Sequence, residues 1–253
     1  MAYAKLTPRF TLGARVEEIS GGFRLSIPSG KADQYRFAQF DDYTKIPTRS
    51  RFPLRPPVTL SLRARASSES IPGTWGFGLW NDPFGLSLGF GGNPFRLPAL
   101  PNAVWFFGAS EQNYLSFRDD KPAQGFLTQV FRSPRFHPSL ILGGLALPFS
   151  RKMTRRMLRR VIEEDGIGLS VDPAQWHGYR LEWRETRVVF YVDDAQVLES
   201  RVSPNPPLGL VIWIDNQYAA FTPQGKIGFG VLENPEPAWL EIEELEVEQK
   251  AGD

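Results

Sequence analysis

Hydrophobic and polar residues alternate with a period of two in run after run along this chain. Each run stops at Gly, Pro, Asn or Asp. Period two sends successive side chains to opposite faces of a strand, and those four residue types supply the turns. "GGFRLSIPSG" predicts one strand. Residues 58–67, "VTLSLRARAS", set Val58, Leu60, Leu62 and Ala64 against Thr59, Ser61, Arg63 and Arg65. "GTWGFGLWND" (73–82) predicts a Gly-rich aromatic strand, and "AVWFFGASEQNYLSFR" (103–118) two strands and a turn. "TQVFR" (128–132) predicts another. "GYRLEWRE" and "RVVFYVDD" pair as a hairpin about Glu185-Thr186. "GLVIWIDNQY" (209–218) is apolar enough to be covered on both faces. "GKIGFGVL" and "AWLEIEELEVEQ" close the chain. At least ten short strands without regular helices predict an all-β, two-sheet antiparallel sandwich spanning residues 1–253 as one domain.

One stretch breaks the alternation. Residues 137–166 run from an apolar segment into "SRKMTRRMLRRVIEEDG". Ser150 suits a helix N-cap and Gly166 a C-terminal stop. Met153, Met157, Leu158, Val161 and Ile162 recur at helical spacing. Arg151, Lys152, Arg155, Arg156, Arg159 and Arg160 make the opposite face. The reading is a helical insertion in the sandwich. Three roles are open to it: a packed surface helix, a lid over the sandwich mouth, or a contact with an anionic membrane through 151–160.

Composition narrows the classes. Of 253 residues, 42% are hydrophobic and 13% aromatic, enough for a large core. The formal charge is +1, although basic residues dominate the first part of the chain and acidic ones the last. That balance gives no general electrostatic case for nucleic acid. There is no Cys, hence no disulfide or thiolate chemistry. The N-terminal residues lack the apolar segment of a secretory leader, and no apolar run is long enough to span a bilayer, so the expected location is cytoplasmic. His137 and His177 are far apart in sequence with no convergent ligands, so no metal and no cofactor are expected.

The hairpin and the residue before it carry a resemblance. Trp176, His177, Tyr179, Glu182, Trp183, Phe190, Tyr191, Val192 and Asp193 match the "W-H-x-Y-x-x-E-W … F-Y-V-D" run of family 16 glycoside hydrolases of the laminarinase and lichenase type. Upstream, Ala64, Arg65, Gly73, Trp75 and Trp80 match that family's paired strands, and the order agrees over about residues 55–248. The resemblance implies a concanavalin A-like jelly roll. It also implies that catalysis would sit in an E-x-D-x-x-E strand, whose carboxylates act as nucleophile and general acid/base. That strand should fall between Trp80 and Trp176. The best candidate, "NAVWFFGASEQNYLSF", holds one acid, Glu111, followed by Asp119 and Asp120 in a turn-like segment. Glu241, Glu243 and Glu246 spell a similar pattern on the closing strand. They read as a solvated edge strand, with Leu240, Ile242, Leu245 and Val247 facing the core around a bulge.

Alternation groups the remaining candidates. One face of 209–218 carries Val211, Trp213, Asp215 and Gln217. One face of 103–113 carries Trp105, Phe107, Glu111 and Asn113. One face of 73–82 carries Trp75, Phe77, Leu79 and Asn81. As neighbours they would make an aromatic floor with a few polar groups, the usual make-up of a small-molecule pocket. The bland alternative is that the rings are simply core. Two functions follow. One is a non-hydrolytic protein that holds a glycan or an amphiphilic small molecule in the cleft. The other is an intracellular cyclase or isomerase with Asp215 or Glu111 as general acid/base.

Overall fold

The structure, a computed structural model, describes residues 6–83, 96, 99–134 and 150–249. In chain order the strands before the helix are β1 (Thr7–Phe10), β2 (Arg15–Ile19), β3 (Gly22–Ile27), β4 (Phe37–Asp41), β5 (Val58–Ala66), β6 (Thr74–Trp80), β7 (Ala103–Ala109) and β8 (Gly125–Arg132). Helix α1 (Arg151–Val161) follows. Then come β9 (Glu163–Gly168), β10 (His177–Trp183), β11 (Val188–Val192), β12 (Ala195–Ser200), β13 (Gly209–Asp215), β14 (Gln217–Phe221), β15 (Ile227–Val231) and β16 (Ala238–Gln249).

Two seven-stranded antiparallel sheets face each other. Sheet A has the order β1-β4-β13-β6-β7-β8-β9, and sheet B the order β12-β11-β10-β5-β16-β3-β2; β14 and β15 form a separate hairpin. The expected jelly-roll sandwich is therefore present. The main core lies between the sheets, where alternate residues of each strand meet. Leu60 and Leu62 of β5, Phe77 and Leu79 of β6, and Ile212 and Ile214 of β13 are fully buried there. Phe106, Tyr179 and Phe190 pack edge-to-face at 5.0–5.2 Å between centroids, geometry that suits the quadrupoles of aromatic rings.

The β10–β11 hairpin turns at Glu185-Thr186 as expected, closed by the Arg184 N–H donating to Arg187 O at 2.9 Å. Of the residues matched to the glycosidase pattern, Tyr179, Trp183, Phe190 and Val192 are packing residues, His177 and Asp193 fasten a turn, and Glu182 pairs with Arg180 and Arg184. Tyr179 and Trp183 are buried. Asp193 Oδ2 lies 2.6 Å from His177 Nδ1, and its Oδ1 accepts from Gly178 N at 2.8 Å. The hydrogen bond from His177 holds the Asp193 carboxyl below the usual carboxylate range.

Three expectations need correction. Residues 103–118 hold one strand, not two, because the chain after Ala109 forms a turn fastened by side chains, with only an isolated bridge at Tyr114. The insertion is helical only to Val161. Residues 163–168 leave the helix to pair with β8 as the edge of sheet A, with Gly166 opposite Gln129. The closing strand is not an edge: β16 lies between β5 and β3. Its expected bulge is present between Glu243 and Glu246, but Glu241 is buried. Burial alone would raise the Glu241 carboxyl; hydrogen bonds from Arg65 Nε at 2.6 Å and Arg24 Nε at 2.7 Å outweigh it and pull the group down.

Residues 137–149, the apolar half of the insertion and His137 with it, lie outside the described residues. Among the described residues, no helix is long and apolar enough to cross a membrane.

Candidate functional site

The outer face of sheet A, turned away from sheet B, carries a second apolar cluster. Trp105 and Phe107 of β7, Val211 and Trp213 of β13, and Leu127 and Phe131 of β8 lie on it, with Trp80 packed against them. The reason is register. Trp213 pairs with Gly76 and Trp105 with Gly78, so β6 presents two side-chain-free positions between two aromatic strands. A Cβ at Gly76 would come within 2.9 Å of the Trp213 ring, and one at Gly78 within 2.6 Å of Trp105 Cβ. The indoles fill the space those glycines leave. Ring centroids lie 5.6 Å apart for Trp105–Trp213 and for Phe107–Trp213, and Trp80 stacks parallel to Trp213 at 6.2 Å.

Each central indole leads into a polar chain that ends on a carboxyl. Trp213 Nε1 donates to Thr74 Oγ1 at 3.0 Å, and that hydroxyl donates to Asp215 Oδ1 at 2.8 Å. Asp215 Oδ1 also accepts from Gln217 N at 3.2 Å, and Oδ2 from Tyr35 OH at 3.3 Å. Burial pushes the Asp215 carboxyl up to about 6, against the pull of these donors. On the other side, Trp105 Nε1 donates to Gln129 Oε1 at 3.4 Å, and Gln129 Nε2 to Glu164 Oε1 at 3.0 Å. Glu164 Oε2 accepts from Phe117 N at 2.8 Å, and burial raises this carboxyl as well. A third acid, Asp41, is engaged in its own turn. It accepts from Thr44 N and Thr44 Oγ1 at 2.6 Å each and from Gln39 Nε2 at 2.7 Å.

Apolar residues roof this face: Phe52 and Leu100 from loops, Leu115 and Phe117 after β7, and Leu158, Val161 and Ile162 from the insertion. Helix α1 is capped at Ser150, whose Oγ accepts from Met153 N at 3.3 Å. Its buried face is rotated from the expected stripe. Thr154 and Arg155 are buried, while Met153 is 48% exposed. Arg155 is not on the solvated basic face: Nη1 donates to Ser116 O at 2.8 Å and to Phe221 O, and Nη2 pairs with Asp119 at 3.1 Å. Carbonyl acceptors at the right distance let a guanidinium go where a free charge could not.

The candidate residues divide as follows. Trp105, Phe107, Trp213 and Asp215 share the outer face as expected. Trp75 and Phe77 point the other way, into the inter-sheet core, where Trp75 stacks on Phe126 at 4.9 Å. The antiparallel register sets Phe77 opposite Phe106 and Ile212, so its partners are core residues. Gln217 leaves the face because the chain breaks at Asn216, whose side chain donates to Gln34 O and Leu232 O and accepts from Arg36 N. Asn81 braces Leu100 O and Asn102 N, and Asn113 braces Gly73 O and Ala219 N; both are buried turn struts. Glu111 is exposed and lines a different opening, of about 290 Å³, with Glu69, Trp75 and Phe126. Sequence reasoning missed Trp80, Gln39, Gln129 and Glu164. The alternation of "FAQFD" and "TQVFR" carries a signal for the two glutamines; Glu164 was hidden in the helical reading. Among the described residues, no three His, Asp or Glu side chains converge as metal ligands would.

Solved structures with the same sandwich include a family 16 endo-glucanase from Bacteroides ovatus, at TM-score 0.52 and 10% identity, covering 96% of this chain and 94% of that one. The LamAcat structure from Zobellia galactanivorans matches at TM-score 0.50 and 14% identity, covering 90% and 77%. The fold is that of the family 16 glycoside hydrolases. A pseudo β-1,3-glucanase of Mycobacterium tuberculosis, Rv0315, aligns at TM-score 0.49 and 14% identity, covering 91% and 75%. No family model and no curated protein matches the sequence. Strands β7, β8 and β9 all lie in the chain between the Trp80 strand and the Trp176 hairpin; the outward positions of β7 are Ala103, Trp105, Phe107 and Ala109, and β9 contributes Glu164.

Proposed function

We infer that this protein is a non-hydrolytic binder that uses the aromatic outer face of sheet A to hold an amphiphilic, mainly apolar small molecule. The observation that carries the reading is the separation of the acids on that face. Asp215 and Glu164 sit on β13 and β9, four strand spacings apart, or about 19 Å. Asp41 pairs with Val211, four residues along from Asp215, or about 14 Å away. Glycoside hydrolysis needs its two carboxyls about 5–9.5 Å apart. Three further observations support the reading. The outward positions of β7, the strand on which the resemblance would put the acids, carry indole and phenyl rings. The polar groups on the face are already engaged with one another. The described residues that pack on the face from loops and α1 are mostly apolar, with Arg96 stacked over Phe52 and Tyr43, which suits an amphiphilic ligand better than a sugar chain.

In this reading Asp215 holds Thr74, which holds the Trp213 indole, and it moves no proton. The test is a fluorescence titration of the protein with a medium-chain fatty acid and with laminari-oligosaccharides, beside a hydrolysis assay on laminarin and lichenan. The expected result is saturable quenching by the fatty acid, weakened roughly tenfold or more in Trp213→Ala and largely retained in Trp213→Phe, with no sugar release. Robust hydrolysis of either glucan would overturn the reading.

A further inference from the structure

We propose that the solvent side of α1, with the adjacent β14–β15 turn, is a docking surface for an anionic phospholipid bilayer, independent of what the aromatic face holds. Helix α1 carries six basic residues and no acid in its eleven positions. Arg155 is consumed inside the protein, and Arg159 shares Asp119 with it at 3.1 Å. Arg151, Lys152, Arg156 and Arg160 are exposed, and none has a carboxylate within ion-pair distance among the described residues.

Helix stability does not account for this pattern. Arg160 and Arg159 lie in the last turn, where the helix dipole favours cations. Arg151 and Lys152 lie in the first turn, where the dipole opposes them and no acidic residue offsets them. The adjoining turn adds to the same surface: a Cβ at Gly225 would lie 3.0 Å from Lys152 and 3.4 Å from Arg151. Lys226 follows, exposed, and then Ile227, 43% exposed. Met153 is 48% exposed on the first turn of the helix.

Cations flanked by exposed aliphatic side chains match a bilayer surface, where lysine and arginine meet headgroup phosphates and the aliphatic groups enter the acyl boundary. Nucleic acid is the poorer match: α1 has no aromatic or amide side chain among its cations, and the turn adds only Gln224 and Phe229, whereas Met153 and Ile227 give the surface its aliphatic contacts. The helix does not insert bodily, because Leu158, Val161 and Ile162 are already packed on sheet A. The contact is peripheral, led by charge and aided by Met153 and Ile227.

The experiment is co-sedimentation with phosphatidylcholine vesicles that contain or lack phosphatidylserine, at low and high salt. The expected result is binding to the serine-lipid vesicles alone, reduced by salt. Each charge removed should weaken it about fivefold. The variant Arg151→Gln/Lys152→Gln/Arg156→Gln/Arg160→Gln then falls to the background. A control set at exposed positions outside α1 and the β14–β15 turn, Arg15→Gln/Lys31→Gln/Lys45→Gln/Arg51→Gln, retains binding, with both folds checked by thermal melting. Equal binding of the two variants, or no binding of the wild type to either vesicle, overturns the proposal. Retention on a DNA duplex without vesicle binding also overturns it, in favour of nucleic acid.

Discussion

At the scale of residues, buried carboxyls are the most informative groups because each has a definite pH signature. Asp215 titrates near 6 when folded against 3.8 for the free side chain, mainly through burial. Between those values the folded state binds more protons than the unfolded state. Its contribution is therefore most favourable below about pH 4 and declines as pH rises through 6. Above pH 7 the cost approaches about 3 kcal/mol. Asp215→Asn can keep the bonds from Thr74 and Gln217 while removing that cost. The variant should be as stable as the wild type or more so at pH 8, and flatter between pH 4 and 6, in urea unfolding at a series of pH values. Parallel curves for the two proteins would refute the assignment. Glu241 behaves oppositely, since its pKa is lowered in the fold and its contribution is lost as pH falls. Its partners Arg24 and Arg65 are more than a third exposed, so Glu241→Gln should cost only about 1–2 kcal/mol at pH 7 in the same measurement. Asp215 was legible in the sequence as an acid ending an apolar strand. Glu241 was not, because an acid between two apolar neighbours on a strand looks the same whether the strand is central or at an edge.

At the scale of elements, Arg155 joins three pieces that have no sheet in common: α1, the Ser116–Asp119 segment and the end of β14 at Phe221. Arg155→Met leaves two carbonyls without their donor and Asp119 with Arg159 alone, at an expected cost of about 2–4 kcal/mol. Arg156→Met, one residue on and exposed, should change stability by less than about 0.5 kcal/mol. Hydrogen exchange should show the first variant opening α1 and the β14–β15 hairpin together and the second leaving both protected. Equal effects would mean that Arg155 is not the joint. The ends of elements explain why some of this escaped sequence reading. Helical spacing predicted α1 and its Ser150 cap. It could not place the helix's buried face, because Thr154 and Arg155 are buried by polar partners rather than by hydrophobicity. "GLVIWIDNQY" read as one strand because nothing local shows that Asn216 will satisfy three backbone groups from other segments and divert the chain.

At the scale of the whole molecule, the sandwich was legible because period-two patterning and turn residues agree over most of its length. The face on which each aromatic lies was legible only strand by strand. Choosing between the two sides of β6 needs its register with β7 and β13, and that is a long-range property. Trp75 and Phe77 therefore belong to the core, while Gly76, Gly78 and Trp80 belong to the face that the indoles of neighbouring strands cover. The molecule carries two apolar cores on the two sides of one sheet, and in the proposed reading the outer one holds the ligand. Native mass spectrometry of the protein from its source cells, with identification of any retained small molecule, tests this most directly. One mainly apolar amphiphile per chain is expected, absent from Trp213→Ala. A retained oligosaccharide, or the same occupancy in Trp213→Ala, would contradict it.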